Sequence, residues 1–167
     1  MVDEAVELAD IELRRHNVRL THYVAARLPP VMADTILIEQ VLVNLMKNAA
    51  ESIDTAARPS ARRNVELRVL PKIEEGLRAV EFSVTDTGQG LAPEVMERLF
   101  EAFFSTKAEG MGIGLNLCRS IVESHHGRMQ ARNLYNGQEV VGCCFSFWIP
   151  VTDSPQIDAF KDSGVTA

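Results

Sequence analysis

The sequence is short of cysteine, of aromatic rings, of positive charge and of long apolar runs. Its three cysteines, Cys118, Cys143 and Cys144, contain no CxxC pair, which excludes both a disulfide framework and a cysteine zinc site and suits a reducing cytosol. Lys and Arg number 17 against 23 Asp and Glu, a net charge of -6, which excludes a broad electrostatic grip on nucleic acid or on an anionic membrane. The longest apolar stretch, Val140 to Val151, is interrupted by Gly142, Ser146 and Pro150 and falls short of the roughly 20 residues that span a bilayer, so no direct membrane insertion is expected. The acidic start, Met1-Val2-Asp3-Glu4, lacks the basic opening of a signal peptide, and a cytoplasmic location is expected, although a parent protein could be membrane-anchored.

What is present is an ordinary globular balance: 167 residues, 46% hydrophobic and 24% charged, enough for one core. Val6, Leu8, Ala9, Ile11 and Leu13 recur at helical spacing, and Val18 to Val24 reads as a strand stopped by Leu28-Pro29-Pro30. Asp34 is placed to cap a long helix over Thr35 to Ile53, with Ile36, Ile38, Val41, Leu42, Leu45, Met46 and Ala49 as its apolar stripe. Thr55 to Arg63, without periodicity, reads as an exposed connection. Val65 to Leu70 and Ala79 to Thr85 form an expected antiparallel hairpin, followed by a short helix from Pro93 to Phe100. A helix from Leu115 to Ser124 and strands at Arg128 to Asn133 and Val140 to Ile149, joined through Asn136-Gly137, complete the order. This mixture of hairpins and helices predicts an α+β fold with one sheet covered on one face by helices. Residues after Thr152 read as a flexible tail.

Three local patterns carry chemistry. Asn44 and Asn48, one helical turn apart, share a face; their amide oxygens suit Mg²⁺, and they equally suit hydrogen bonds to nearby backbone. Asp86-Thr87-Gly88-Gln89-Gly90 follows a strand, so an acceptor-only carboxylate stands beside two glycines that let backbone approach a ligand; alone it could be an acidic turn. Gly110-Met111-Gly112-Ile113-Gly114-Leu115 precedes a helix and offers backbone N–H groups to phosphate, with Thr106 and Lys107 upstream, although glycine also serves plain helix entries. It lacks the GKS/T ending of a Walker loop.

In this order and at these intervals the patterns resemble the ATP-binding catalytic domain of sensor histidine kinases, within the superfamily that includes gyrase, the Hsp90 chaperones and the MutL proteins. Ile38 to Ala49 looks like the N box, Asp86 to Gly90 the G1 box, Leu99 to Phe104 the F box and Gly110 to Leu115 the G2 box. The resemblance implies a two-layer α/β sandwich of the Bergerat type, with a mixed, mainly antiparallel sheet. It implies ATP and Mg²⁺ as cofactors, Asn48 as metal ligand and Asn44 as its support, both at the catalytic centre. Asp86 would accept from the adenine amine, with Gly88 and Gly90 around the base. Phe103 to Gly114 would form a lid, with Phe103, Thr106, Lys107, Gly110, Gly112, Gly114 and Leu115 beside the nucleotide. Lys47 and Lys107 would supply phosphate charge, because Glu51 stands where several relatives carry a basic residue. Cys143-Cys144 stands where many members carry Thr near the adenine.

Hydrolysing members of the superfamily carry a glutamate where this chain has Asn44, which cannot act as a base; the departure favours phosphoryl transfer. None of the four histidines precedes an acidic residue as the family's acceptor does. His16 and His22 read as surface residues, and His125-His126 as a helix end where imidazolium suits the dipole. The implied organisation is residues 1–33 as the opening helix and strand after an absent dimerisation and phosphoacceptor domain, 34–152 as the ATP-binding core, and 153–167 as tail. The implied partners are the phosphoacceptor helices of the parent kinase and a response regulator, and the fragment itself is expected to be a monomer unable to autophosphorylate. A nucleotide-binding regulatory module without transfer, or an ATP-hydrolysing relative, is the alternative. Phe104-Ser105-Thr106-Lys107 followed by Gly-Met-Gly is similar to the nitrogen-, oxygen- and dicarboxylate-sensing branch.

Overall fold

Alternating burial along Asn64–Glu74 (β2) and Leu77–Asp86 (β3) sends Val65, Leu67 and Val69 of one strand, and Phe82, Val84 and Asp86 of the other, to a single face. The computed structural model describes residues 1–100 and 113–152. Phe103, Thr106, Lys107, Gly110 and Gly112, most of the expected lid and the tail therefore lie outside the described residues.

β2 and β3 join Arg19–Val24 (β1), Arg128–Asn136 (β4) and Glu139–Pro150 (β5) in one sheet of order β1-β2-β3-β5-β4. Only β1 and β2 pair in parallel; the other ladders are antiparallel. Parallel neighbours need a crossover, and the crossover here contains the long helix Thr35–Thr55 (α2). Its buried residues Ile38, Val41, Leu42, Leu45, Met46, Ala49 and Ile53 recur every three or four positions and join the sheet residues in one core. At the centre Phe82 and Phe147 stack with ring centroids 4.8 Å apart. Glu66 and Arg68, on the opposite face of β2, are exposed, so the strand is one-sided as its alternation predicts.

Val2–Arg15 (α1) lays Ala5, Ala9 and Leu13 into this core. Ile113–Ser124 (α4) contributes Cys118, Ile121 and Val122, and the short Pro93–Arg98 (α3) precedes it. Asp34 Oδ1 accepts from the Leu37 N–H at 3.1 Å, the expected cap of α2. The Asp34 N–H in turn donates to His125 Nε2 at 3.0 Å, while His125 Nδ1 lies 2.7 Å from the Ile121 carbonyl. His125 thus bridges the end of α4 to the cap of α2.

The connection from α2 to β2 also departs from expectation. It contains a 3-10 turn, Ser60–Arg62, and the end of α2 is closed by two bonds, from Ala57 N–H to the Asp54 carbonyl (2.9 Å) and from Arg58 N–H to the Ile53 carbonyl (3.4 Å). Ala57 occupies the left-handed position, φ 53°, that glycine usually fills in this Schellman arrangement. Arg58 therefore leaves the helix in a fixed direction. Two of the three arginines of this stretch are engaged rather than solvated: Arg58 is half-buried and donates to the Thr87 and Gly88 carbonyls, and Arg63 is only 12% exposed and donates to the carbonyls of Arg58 and His16 and to Asp54, while Arg62 is exposed.

Candidate functional site

Helix α2 carries Asn44, Asn48 and Ser52 at steps of four, one stripe running beneath the loop that follows β3. Asn44 and Asn48 are partly buried and Lys47 is exposed. The Asn44 amide approaches the Cys118 sulfur at 3.8 Å, tying α2 to α4 one turn beyond the latter's start. Gly114 and Leu115 lie in the first turn of α4, where helix N–H groups lack intrahelical partners. A Cβ at Gly114 would meet nothing within 4 Å.

Asp86 ends β3 on the inward face. It is 3% exposed and is the one buried charged side chain among the described residues. Burial pushes its carboxyl up to about 6, against the opposing pull of the Gly88 and Cys143 backbone amides. A carboxylate poised at that value, at a strand end beside a glycine loop, is a strong hydrogen-bond acceptor held out of water.

The loop from Asp86 to Leu91 is fastened from four directions. The Gly88 N–H donates to Asp86 Oδ1 at 2.7 Å, and the Gln89 N–H to Ser52 Oγ at 3.2 Å. Arg58 donates from Nε to the Thr87 carbonyl (2.9 Å) and from Nη2 to the Gly88 carbonyl (3.0 Å). Thr87 Oγ1 accepts from the Asn64 N–H at 3.1 Å and donates to the Arg62 carbonyl. Asn133 of β4 engages both backbone groups of Leu91. Space is as restrictive as the hydrogen bonds. A Cβ at Gly88 would fall 2.2 Å from Ser52 Oγ, and one at Gly142 2.0 Å from the Asp86 carbonyl oxygen. Gly90 takes φ +74°, a left-handed conformation.

Thus Asp86 and Gly88 come together with Ser52, on the helix stripe that also carries Asn44 and Asn48, while Gly90 lies beside Asn133 and Val140 and Lys47 is exposed on the same helix. Ser52, Arg58 and Asn133 were not anticipated. The four-residue step from Asn48 could have flagged Ser52; Arg58 and Asn133 carry no local signal. Cys143, opposite Asp86 in the ladder, and Cys118 are buried thiols. Burial, with the charge of Asp86 adding to it, pushes Cys143 up to about 12, and burial pushes Cys118 up to about 11, so neither serves as a thiolate nucleophile at neutral pH.

Behind this loop runs a second network. His16 Nδ1 pairs with Asp54, His16 Nε2 lies 3.2 Å from Glu12, and Arg63 joins Asp54 to Arg58. This makes His16 a linked residue rather than a plain surface one. On another side, a cleft of about 550 Å³ is lined by Gln89, Leu91, Pro93, Met96, Tyr135 and Val140; none of Asn44, Asn48 or Asp86 lines it. Among the described residues no three His, Cys, Asp or Glu side chains cluster as a metal cage, and no helix is long and apolar enough to cross a membrane.

Comparison with known proteins agrees with this geometry. A family model described as histidine kinase-, DNA gyrase B- and HSP90-like ATPase matches residues 33–153. The C4-dicarboxylate transport sensor protein DctS of Rhodobacter capsulatus is 40% identical over 148 residues, 89% of this chain and 21% of that protein. The sensor protein FixL of Bradyrhizobium diazoefficiens is 38% identical over 153 residues, 92% of this chain and 28% of its own length. The chain thus spans between a fifth and three tenths of these relatives. The nucleotide-free catalytic domain of histidine kinase ThkA superposes with a TM-score of 0.68 at 30% identity, covering 89% of each chain. With the boxes, the fold and these likenesses in agreement, the chain belongs to the histidine kinase-, DNA gyrase B- and HSP90-like ATPase family, as the ATP-binding catalytic domain of a two-component sensor histidine kinase.

Proposed function

We propose that this domain binds ATP with Mg²⁺ and transfers the γ-phosphoryl group to a histidine on a separate dimerisation domain, for relay to a response regulator. The observation that carries the reading is Asp86: a buried carboxylate, presented by β3 and fixed by the Gly88 amide, is the group that selects a base bearing an exocyclic amine. Adenine offers that amine; guanine presents a carbonyl at the corresponding position and would meet like polarity.

The donor set suits Mg²⁺ as well. A neutral Asn oxygen, phosphate oxygens and water make the sparse octahedral shell that Mg²⁺ prefers, and no all-protein cage is required. Asn48 would hold the ion, and Asn44, anchored against Cys118, would orient the same stripe. Bound Mg²⁺ supplies neutralisation of the phosphate charge. Lys47, Thr106, Lys107 and the glycine backbone through Gly114 would line the phosphates. Because Asn44 cannot take a proton, this chain contributes positioning and electrostatics to an in-line transfer, and the neutral acceptor imidazole brings its own lone pair. None of the four histidines precedes an acidic residue as the family's acceptor does, so autophosphorylation on one of them is not expected, and a cytoplasmic setting would suit the ATP requirement.

Titration calorimetry with ATP, ADP and GTP in the presence of Mg²⁺ tests the pocket. Adenine-selective binding, weakened by about one to two decades in Asp86→Asn, is expected. Labelling of a separately made cognate phosphoacceptor domain by labelled ATP then tests transfer; binding without labelling would favour the regulatory module.

A further inference from the structure

We infer that Arg58 is a positioning residue for base recognition: it sets the two peptide planes through which the loop presents the Asp86 carboxylate. The inference rests on the proposed role of Asp86 in adenine binding and adds a residue outside the four boxes.

The argument is one of peptide geometry. A trans peptide is planar, with its C=O and N–H pointing in opposite directions, and no peptide bond of the described chain is cis. The Thr87 carbonyl and the Gly88 N–H belong to one such plane. Arg58 Nε holds the carbonyl at 2.9 Å, so the N–H on the other side is aimed at Asp86 Oδ1, which it reaches at 2.7 Å. The Gly88 carbonyl and the Gln89 N–H belong to the next plane. Arg58 Nη2 holds that carbonyl at 3.0 Å, and the opposite N–H reaches Ser52 Oγ at 3.2 Å. One guanidinium thus fixes two consecutive planes, and its rigid fork matches the spacing of two neighbouring carbonyls in a way that a single ammonium does not.

Arg58 is itself held. The Schellman closure of α2 directs its backbone, and Arg63 Nη1 donates to its carbonyl at 3.0 Å while anchored to Asp54 and to the His16 carbonyl. Glycine at position 88 is flexible when unsupported, and crowding by Ser52 excludes a larger residue that would stiffen it. Stiffness therefore comes from outside the loop.

The test uses Arg58→Ala and Arg58→Lys, with binding of Mg²⁺–ATP and Mg²⁺–GTP by calorimetry and the Gly88 amide followed by ¹H–¹⁵N NMR across pH 5 to 8. In Arg58→Ala the ATP affinity should fall about tenfold with GTP binding nearly unchanged, so that the ATP-to-GTP preference shrinks. The Gly88 amide should move upfield, and the Asp86 midpoint that it reports should rise, because the carboxylate loses an amide donor. Arg58→Lys should recover part of both effects, and keeps the question open to measurement should the Ala variant fold poorly. Unchanged ATP affinity and an unchanged Gly88 resonance in a folded variant would overturn the inference, as would a parallel loss of ATP and GTP, which marks a merely structural role. If the wild-type domain binds no ATP, the proposed function fails, while the Gly88 amide still decides whether Arg58 sets the loop.

Discussion

Asn133 brackets Leu91: its Oδ1 accepts from the Leu91 N–H at 2.8 Å and its Nδ2 donates to the Leu91 carbonyl at 2.7 Å, joining the last residue of the glycine loop to strand β4. Asn133→Ala would strip two partly buried backbone groups of their partners, which costs about 1–3 kcal/mol. Thermal unfolding of the free domain should show that loss, and ATP binding should weaken with it; a stability equal to wild type would mean that water replaces the amide without cost.

Asp86 predicts opposed effects on stability and binding. Its carboxyl is raised from 3.8 to about 6 by burial, so its contribution to stability is fully present below about 3.8 and lost as pH rises through about 6. At pH 7.5 the buried charge costs about 3 kcal/mol. Asp86→Asn should therefore raise the melting temperature of the nucleotide-free domain at pH 7.5, with the advantage fading by pH 4, while adenine binding drops. Paired melting curves at the two pH values check this, and a pH-independent difference would count against the buried charge.

Gly142→Ala should be among the most damaging single-methyl additions. The new Cβ meets the Asp86 carbonyl oxygen at 2.0 Å and Thr87 Cα at 3.3 Å, backbone atoms that cannot rotate aside. Overpacking of this kind costs about 1–3 kcal/mol and would displace β5 from β3 next to the carboxylate. Denaturant unfolding together with nucleotide titration should show both losses.

Ala57→Gly should stabilise. Ala57 sits at φ 53°, where a Cβ is strained, and glycine relieves about 1 kcal/mol there, partly offset by the greater freedom of the unfolded chain. A higher urea midpoint at unchanged slope is the expected reading; a lower one would show that the alanine conformation is unstrained.

The His16–Asp54 pair predicts a pH optimum. The hydrogen bond to Asp54 raises His16 against the opposing effect of burial, so its contribution holds below about 6.5 and disappears as pH rises through the raised value. For Asp54, burial pushes upward but the bonds from His16 and Arg63 outweigh it; the net lowering gives stability that holds above about 3.8 and is lost in acid. His16→Gln should flatten the decline in melting temperature between pH 6.5 and 9. Since Asp54 is 39% exposed, solvent screening keeps the effect to a few tenths up to about 1 kcal/mol.

Much of this architecture was legible because its signals are local. The stripe of α2, the alternation of β2 and β3, Asp34 as a cap and the Asn136-Gly137 turn each follow from spacing within a few residues, and all nine helices and strands expected stand among the described residues. Parallel pairing of β1 with β2 was not legible, since alternation does not encode strand direction. Nor were the roles of Arg58 and Arg63. A stretch lacking periodicity reads as solvated, yet its guanidinium groups find partners 29 to 47 positions away. The acceptor Nε2 of His125 likewise became visible only with Asp34 beside it. The boxes drew attention to Asp86 and its glycines, whereas the residues that hold them lie elsewhere in the chain.

The carboxylate is the final rung of the β3–β5 ladder, but the glycines after it hang from side chains. In the language of hydrogen exchange these are two different units: ladder amides near Phe82 and Val84 open only with the whole sheet, while those of Gly88, Gln89 and Leu91 open when single side-chain acceptors let go. Nucleotide seated across the junction would slow exchange in the second unit far more than in the first. Occupancy would thus be recorded as a change in local breathing, with the deep sheet nearly indifferent to it.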